Sequence, residues 1–373
     1  MQAMFHRFFA LLIGLLLAAP ALAQIRVGQT AGITGPVAGA VKEATDGARL
    51  YFNAVNSRGG IGGQKIELVS MDDKFEVPLA VSNAKALIDQ GVIALFLTRG
   101  TPHNQALMPL LTEARIPLVG PSTGAMVLHE PVHPWLFNVR ATYQREAERA
   151  IRHLLQIGVQ RIALVQVADS FGEDAARGAL KGFATGSQPV AHEKYDRSKP
   201  DFAPIMPKIV DADPQAVMFI GSGTAVVDGM KSLRAAGSKA QMLTLSNNAS
   251  GGFVKSLGDV ARGVIVSQVL PAERALGTPM VKEAHELARN LGRSAPEFTP
   301  ALLEGYASAK VLVEGLRRAG AAKDLSRAGL QKALESLNRY DLGGLELSYS
   351  ASDHTGLDYA DLSIVGADGR FRR

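Results

Sequence analysis

Cysteine is absent from this 373-residue chain. Its absence excludes disulfide bonds, and it also excludes the lipid-bearing cysteine that some exported bacterial proteins carry at their cleavage site. Stability must therefore come from the burial of apolar side chains. Because a domain typically holds roughly 100 to 200 residues, the length predicts two domains.

Long apolar runs and basic blocks are also missing beyond the N-terminus. No stretch after Ala23 is apolar over the roughly 20 residues that span a bilayer. The 40 lysines and arginines are scattered among 35 acidic residues, which indicates neither nucleic acid nor a membrane surface as a partner. The eight histidines lack metal-site spacing. No glycine pattern typical of nucleotide binding occurs, so no cofactor is expected.

The first 23 residues have the pattern of a cleavable signal peptide. Arg7 precedes an apolar run over 8–19, and Ala21-Leu22-Ala23 provides the small-x-small cleavage pattern. The run is about a dozen residues, which is too short to span a bilayer. We therefore expect export to the periplasm and a mature chain that begins at Gln24. Loss of Arg7 lowers the formal net charge from +5 to +4.

Short apolar segments alternate with helical patterns up to about Leu270, and the pattern restarts after Arg140. This alternation predicts two α/β lobes with parallel sheets. No linker rich in Pro, Gly or Ser separates the lobes, so several short crossings are expected to form a hinge. The predicted strands cover 25–30, 65–71, 92–97, 116–119, 161–167, 216–220, 242–245 and 264–269, with strand-like pieces at 345–349 and 362–365. The predicted helices cover 41–55, 78–89, 104–114, 143–156, 172–184, 224–235, 279–290, 299–319 and 326–337.

Several short motifs occur at spacings that suggest a known family. They are Thr34-Gly35-Pro36, Asn53-Ala54-Val55-Asn56 leading into Gly59-Gly60-Ile61-Gly62-Gly63, Asp72-Asp73, and Val167-Ala168-Asp169-Ser170-Phe171-Gly172. Together they resemble the leucine/isoleucine/valine-binding type of periplasmic solute-binding protein. The resemblance covers nearly the whole mature chain and implies a type I periplasmic binding fold, with two Rossmann-like lobes joined by three strands. Lobe one would comprise 24–140 plus 271–342, and lobe two 141–270 plus 343–373.

The same resemblance implies a function. The protein would be the periplasmic component of an ABC importer that captures a small solute between two closing lobes and passes it to a membrane permease. We expect a monomer without catalytic activity. A ligand-sensing receptor module built on the same fold is an alternative.

The candidate ligand contacts lie beyond the carboxyl ends of predicted strands, where ligands bind in open parallel sheets. Two loops of the first lobe, 98–103 and 120–124, are rich in hydroxyl groups and glycine, which bind carboxylates by charge-assisted hydrogen bonds. In the family such loops hold the carboxylate and ammonium of the ligand. The candidates here are Arg99, Thr101, His103, Ser122, Thr123 and Gly124, faced from the second lobe by Tyr143, Phe171, Thr224 and Asn247.

Each candidate also has an ordinary structural explanation. Serine and threonine cap helices and turns, and aromatic residues fill cores. Arg99 is either a solvated residue or a carboxylate clamp, and His103 has a structural or capping role. We expect Phe171 with Tyr143 to cover the less polar part of the ligand.

Two features complicate the choice of ligand and of function. Residues 245–248 contain no acid, although amino-acid binders commonly have one there to neutralise the ammonium group. The ligand is then an amino acid, a simple carboxylate or another small polar molecule.

Residues 120–124 also match the G-x-S-x-G nucleophile elbow of α/β-hydrolases, with Ser122 as nucleophile. That elbow needs a helix directly after it, and Pro131 ends the short segment that follows.

The signal peptide makes the first testable prediction. N-terminal sequencing of the exported protein should begin at Gln24, because signal peptidase recognises the small residues Ala21 and Ala23. A membrane-bound product that retains residues 1–23 would contradict it.

Overall fold

The computed structural model describes residues 24–183, 187–292 and 295–373, and these form two α/β lobes. The predicted signal peptide lies outside the described residues. Among the helices in these ranges, none is both long enough and apolar enough to cross a bilayer.

The first lobe is built around a five-stranded parallel sheet. In chain order its first elements are β1 (Ile25–Ala31), α1 (Ala38–Ser57), β2 (Ile66–Asp72), α2 (Val77–Asp89), β3 (Ala94–Phe96), α3 (Thr101–Ala114), β4 (Leu118–Val119) and β5 (Leu136–Phe137). The strand order is β2-β1-β3-β4-β5, with Val27 of β1 between Leu68 and Ala94. The interior strands β3 and β4 are apolar throughout and fully buried, as expected for a parallel sheet covered on both faces.

The second lobe has a seven-stranded sheet. It begins with α4 (Tyr143–Gln156), β6 (Ile162–Val167), α5 (Ser170–Gly182), β7 (Ala191–Tyr195), α6 (Met206–Asp211), β8 (Ala216–Ile220), α7 (Thr224–Ala235), β9 (Gln241–Thr244), α8 (Gly251–Leu257) and β10 (Ile265–Gln268). These five strands are mutually parallel, in the order β10-β9-β8-β6-β7. Side-chain oxygens of Thr142 and Asp169 cap the first turns of α4 and α5.

The chain then returns to the first lobe and ends in the second. The first lobe gains α9 (Pro279–Arg289), α10 (Pro300–Ala321), α11 (Arg327–Glu335), β11 (Tyr340–Asp341) and β12 (Glu346–Leu347). β13 (Asp361–Val365) extends the second sheet antiparallel to β10, and β14 (Phe371–Arg372) pairs antiparallel with β13 at the edge. The predicted fold class, two lobes with parallel sheets, is confirmed.

Three crossings connect the lobes. The hydrophobic core changes from one lobe to the other between residues 139 and 143, between 266 and 270, and between 357 and 362. Residues 343–357, which the sequence analysis assigned to the second lobe, contribute Leu347 and Tyr349 to the core of the first. Tyr349 also donates its hydroxyl hydrogen to the carbonyl of Asn138. The hairpin of β11 and β12 thus folds back on the first lobe before the last crossing.

The longest helices of the first lobe, α1 and α10, touch through their backbones. A Cβ atom on Gly47 would lie 1.9 Å from the carbonyl oxygen of Leu302, and one on Gly305 would lie 1.7 Å from that of Ala44. Only glycine fits at this crossing. The close contact brings the N-terminal part of α1 and the start of α10 to the same side of the interlobe cleft.

A buried ionic network lies where the chain first crosses. Arg140 pairs with Glu146 of α4, and Glu304 of α10 lies 3.9 Å away on its other side. Glu146 also accepts hydrogen bonds from the Ser246 N–H at 3.0 Å and from the hydroxyl of Ser267. Arg140 and Glu146 are both almost completely buried. The network therefore joins the crossing to helices of both lobes.

Replacing Glu146 by glutamine should destabilise the protein strongly. The change keeps the shape of the side chain but leaves the Arg140 charge buried with the more distant Glu304 as its nearest carboxylate, and breaking a buried pair costs about 3–5 kcal/mol. Urea denaturation measures the loss. The matched control is Glu148→Gln, which removes a surface pair with Arg152 on the same helix and should cost about 0.5 kcal/mol. Equal denaturation midpoints for the two variants would contradict the prediction.

Candidate functional site

The loop after β2 is shaped by two aspartates. Asp72 accepts hydrogen bonds from the N–H and hydroxyl of Thr34, and Asp73 accepts one from the Phe75 N–H at 2.8 Å. Phe75 has a φ of +64°, which is unusual for a bulky side chain. These bonds hold its ring toward the second lobe and explain why Thr34 and the Asp72-Asp73 pair occur together.

Arg99 lies at the centre of the interlobe cleft. Its side chain is buried, and Nη1 donates to Ser122 Oγ at 3.1 Å while Nη2 donates to the carbonyl oxygen of Asn247 in the other lobe. Within the described part of the chain it forms no salt bridge. Burial lowers the pKa of this guanidinium, because desolvation disfavours its charge. The sequence left two roles for Arg99, a solvated residue or a carboxylate clamp. Because the side chain is buried, the structure excludes the first.

Hydroxyl groups form one wall beside Arg99. Thr101, the first residue of α3, and Thr123 share a hydrogen bond of 2.7 Å between their Oγ1 atoms. Gly124 lies behind this wall, where its carbonyl accepts from the Tyr143 N–H at 2.7 Å. A Cβ on Gly124 would lie 2.5 Å from the carbonyl oxygen of Ala141, so the position needs glycine to pack against the crossing.

Aromatic residues of the second lobe form the opposite wall. The rings of Tyr143 and Phe171 are 4.7 Å apart between centroids and inclined by 56°. Phe171 is held at the start of α5 because its N–H donates to the capping Asp169. The guanidinium of Arg140 lies 4.5 Å from the centre of the Tyr143 ring.

A stack of three side chains closes one end of the cleft. The rings of His103 and Phe75 lie nearly parallel, with their centroids 4.5 Å apart. The guanidinium carbon of Arg197, from the second lobe, lies 5.2 Å from the centroid of the Phe75 ring. Arg197 pairs with Asp169. Both ring nitrogens of His103 are buried without a hydrogen-bond partner among the described residues. Burial lowers the pKa of His103 to about 4, so the ring is neutral at pH 7.

Arg99 divides the remaining space into two cavities. The smaller has a volume of about 10 Å³ and is bounded by Arg99, Thr101, Ser122, Tyr143 and Phe171, among others. That volume holds roughly one water molecule. The larger, which we call the chamber, measures about 220 Å³ and is bounded by residues 35–40 of the first lobe and by Gly223, Thr224, Val227, Asn247 and Phe253 of the second.

The chamber is bordered by two helix N-termini and by one side-chain oxygen without a hydrogen-bond donor among the described residues. The helices α1 and α7 begin there, and neither N-cap residue, Val37 or Gly223, provides a side-chain cap. Asn247 donates to the carbonyl of Gly221 at 2.9 Å, but its Oδ1 atom accepts no hydrogen bond from a described residue. The Thr224 N–H donates to the Pro36 carbonyl of the other lobe at 3.2 Å.

Glu43 of α1 joins the lobes beside the chamber. Its carboxylate accepts hydrogen bonds from the N–H groups of Gly251 and Gly252, at 3.1 and 2.9 Å, and from the hydroxyl of Thr299 at 2.7 Å. A first-lobe carboxylate thus caps the second-lobe helix α8. Gly39 and Gly252 are in backbone contact nearby, since a Cβ on Gly39 would lie 3.3 Å from the Gly252 Cα. The two lobes are closed on each other.

The structure brings most of the candidate residues to this cleft. The small cavity is lined by Arg99, Thr101, Ser122, Tyr143, Phe171 and Asn247, and Thr224 lines the chamber. Thr123, Gly124 and His103 line neither cavity. The ligand contacts of all these candidate residues remain predictions.

Sequence reasoning missed Phe75, Arg197 and Glu43. Phe75 and Arg197 follow β2 and β7, so the rule that ligands lie beyond strand ends could have suggested them. Strand β7 was itself overlooked because its exposed edge sequence, His192-Glu193-Lys194, is polar. Glu43 has no such signal, since it lies within a helix.

The geometry around Ser122 does not support a hydrolase. Its hydroxyl bonds Arg99, and no histidine nitrogen of a described residue is within hydrogen-bonding distance of it. A single 3₁₀ turn, Met126–Leu128, follows the motif where an elbow would need a helix.

The fold and the cleft agree with comparisons to known proteins. The sequence profile of the family described as "Periplasmic binding protein" matches residues 24–369. The chain belongs to this family of two-lobed binding proteins.

Three relatives show how far the similarity extends. A "Leu/Ile/Val-binding protein homolog 3" of Brucella melitensis is 25% identical over 346 residues, which are 92% of this chain and 91% of that protein. A substrate-binding periplasmic protein from Ralstonia solanacearum is 32% identical, with a TM-score of 0.86 over 93% of this chain and 99% of its own. A possible leucine/isoleucine/valine-binding protein from Rhodopirellula baltica is 25% identical, with a TM-score of 0.86 over 95% and 98%.

The buried His103 predicts a loss of stability in acid. An unfolded histidine has a pKa of about 6.5, whereas burial holds that of folded His103 at about 4. The unfolded chain therefore takes up a proton first as the pH falls, and the free energy of unfolding should drop by about 2 kcal/mol between pH 7 and pH 5 through this residue.

Urea denaturation of His103→Phe, which keeps the stack on Phe75, should show a pH dependence shallower by that amount than the unaltered protein. Asp73, whose pKa burial raises to about 6, is present in both proteins and cancels in the comparison. Parallel pH profiles for the two proteins would refute the assignment.

Proposed function

We propose that this protein is the periplasmic solute-binding component of an ABC importer and that it holds a small solute bearing a carboxylate, an amino acid or a related acid, between its lobes. The observation that supports this best is the interlobe site around Arg99, where hydroxyl, amide and guanidinium groups from both lobes converge. Family membership and relatives named as Leu/Ile/Val-binding proteins support the same proposal.

The proposed binding mode follows from the two walls. The carboxylate of the solute accepts hydrogen bonds from Arg99, Ser122 and Thr101, and charged hydrogen bonds of this kind are the strong ones. Tyr143 and Phe171 limit the space on the opposite side. In this binding mode the protein holds and releases the solute unchanged and delivers it to a membrane permease.

Closure of the lobes encloses the solute. The three crossings lie at one side of the cleft and provide a hinge, and Thr224 and Gly252 meet the first lobe only when the cleft is shut. A bound solute with a Kd near 1 μM, present at 100 times that concentration, would stabilise the folded protein by about 2.7 kcal/mol.

A screen of ligand-free protein tests the proposal. Protein that has been unfolded, dialysed and refolded should show a raised Tm with at least one member of a panel of amino acids, carboxylates and amides, and small-angle scattering should show compaction with the same compound. Ser122→Ala should weaken that binding about tenfold or more, because a hydrogen bond to a charged group contributes about 1.5–3 kcal/mol. Ser352→Ala, at an exposed serine, is the control. An unchanged scattering profile at saturation would argue against closure.

A further inference from the structure

The charged side chains that line the two cavities of the cleft are both arginines, while the Glu43 carboxylate beside the chamber is bonded to the Gly251 and Gly252 N–H groups. The two arginines are Arg99 and Arg197, and the lining residues include no aspartate or glutamate. Arg197 is neutralised by Asp169, and Arg140, behind Tyr143, by Glu146. Arg99 has hydroxyl and carbonyl partners but no carboxylate within the described ranges.

A buried cation without an anionic partner is costly unless a ligand provides the opposite charge. The Arg99 side chain is 5% exposed and borders both cavities. The helices α1 and α7 both begin at the chamber, where their dipoles add partial positive charge, although the Gly223 and Thr224 N–H groups are bonded to the Asn248 side chain and the Pro36 carbonyl. An ammonium group placed there would meet these positive charges and would find no carboxylate among the lining residues.

The two cavities also differ in what they can hold. The small one holds roughly a single water molecule, as described above, so the closed cleft has no room there for the body of a solute. The chamber of about 220 Å³ exceeds the roughly 150 Å³ cavity that accommodates benzene in another protein. Its apolar lining comes from Val37, Ala38 and Ala40 of the first lobe and from Val227 and Phe253 of the second.

We propose that the ligand is a small organic acid without an ammonium group, whose anionic group bonds Arg99 and whose apolar body lies in the chamber. This inference rests on the proposed function and names its substrate class. The Oδ1 atom of Asn247, buried at the chamber without a donor among the described residues, would accept a hydrogen bond from a hydroxyl group of the acid.

The test uses three matched sets of compounds that differ only at the charged end. Each set holds an acid, its neutral amide and the corresponding L-amino acid: 4-methylpentanoate with 4-methylpentanamide and leucine, 3-phenylpropanoate with 3-phenylpropanamide and phenylalanine, and butanoate with butanamide and 2-aminobutanoate. Calorimetry on refolded protein should show that the tightest-binding acid binds at least tenfold more tightly than its amide and its amino acid.

Variants then assign the two parts of the site. Arg99→Gln should weaken binding of that acid at least tenfold and leave the amide unaffected, whereas Arg152→Gln, at a surface arginine, should change neither. Ala38→Leu, which narrows the chamber, should weaken binding of the acid at least tenfold, and Ala54→Leu, farther along α1, should not.

The outcomes separate this inference from the broader proposal. Tighter binding of an amino acid or of an amide than of the acid would overturn the inference while leaving a solute-binding function intact. Equal effects of Ala38→Leu and Ala54→Leu on binding of the acid would exclude the chamber as the site of its apolar body. If no member of any set bound, both the inference and the proposed function would be contradicted. Because the comparison of compounds uses the unaltered protein, it holds even where a variant fails to fold.

Discussion

The pairing of Arg140 with two buried carboxylates is the constraint on which the rest of the cleft depends. An arginine at a chain crossing, with Glu146 on one lobe and Glu304 on the other, ties the hinge to both cores. Because buried charges must be satisfied, the start of α4 and the start of α10 cannot move independently there. The same pairing neutralises Arg140 and so leaves Arg99 as the buried cation that faces the cavities.

Much of the fold follows from local sequence. Apolar runs such as 162–167 and 216–220 become central strands buried on both faces, and Thr142, Asp169 and Thr299 cap helices through short-range hydrogen bonds. The elements that were missed are those with weak local signals. β5, β11 and β14 have two residues each, β7 is a polar edge strand, and α6 and α8 are short.

The candidate site was predictable in position but not in chemistry. Strand ends and glycine-rich loops located Arg99, Thr101 and Ser122, because the carboxyl ends of parallel strands share one edge of the sheet. The burial of Arg99 and its bond to Asn247 depend on contact between residues 148 positions apart, which no local pattern encodes. The division of the cleft into two unequal cavities is likewise a result of lobe closure.

The hydrogen bonds of Glu43 have a consequence for the equilibrium between the open and closed arrangements of the lobes. They join α1 to α8 directly across the cleft and so stabilise the closed arrangement. A ligand shifts an equilibrium only through its different affinity for the two states, so a protein already biased toward closure loses less binding energy to the conformational change. The same bias slows entry, since a solute must wait for the carboxylate to leave the helix end. Breaking these hydrogen bonds therefore adds to the barrier that a solute must cross to enter.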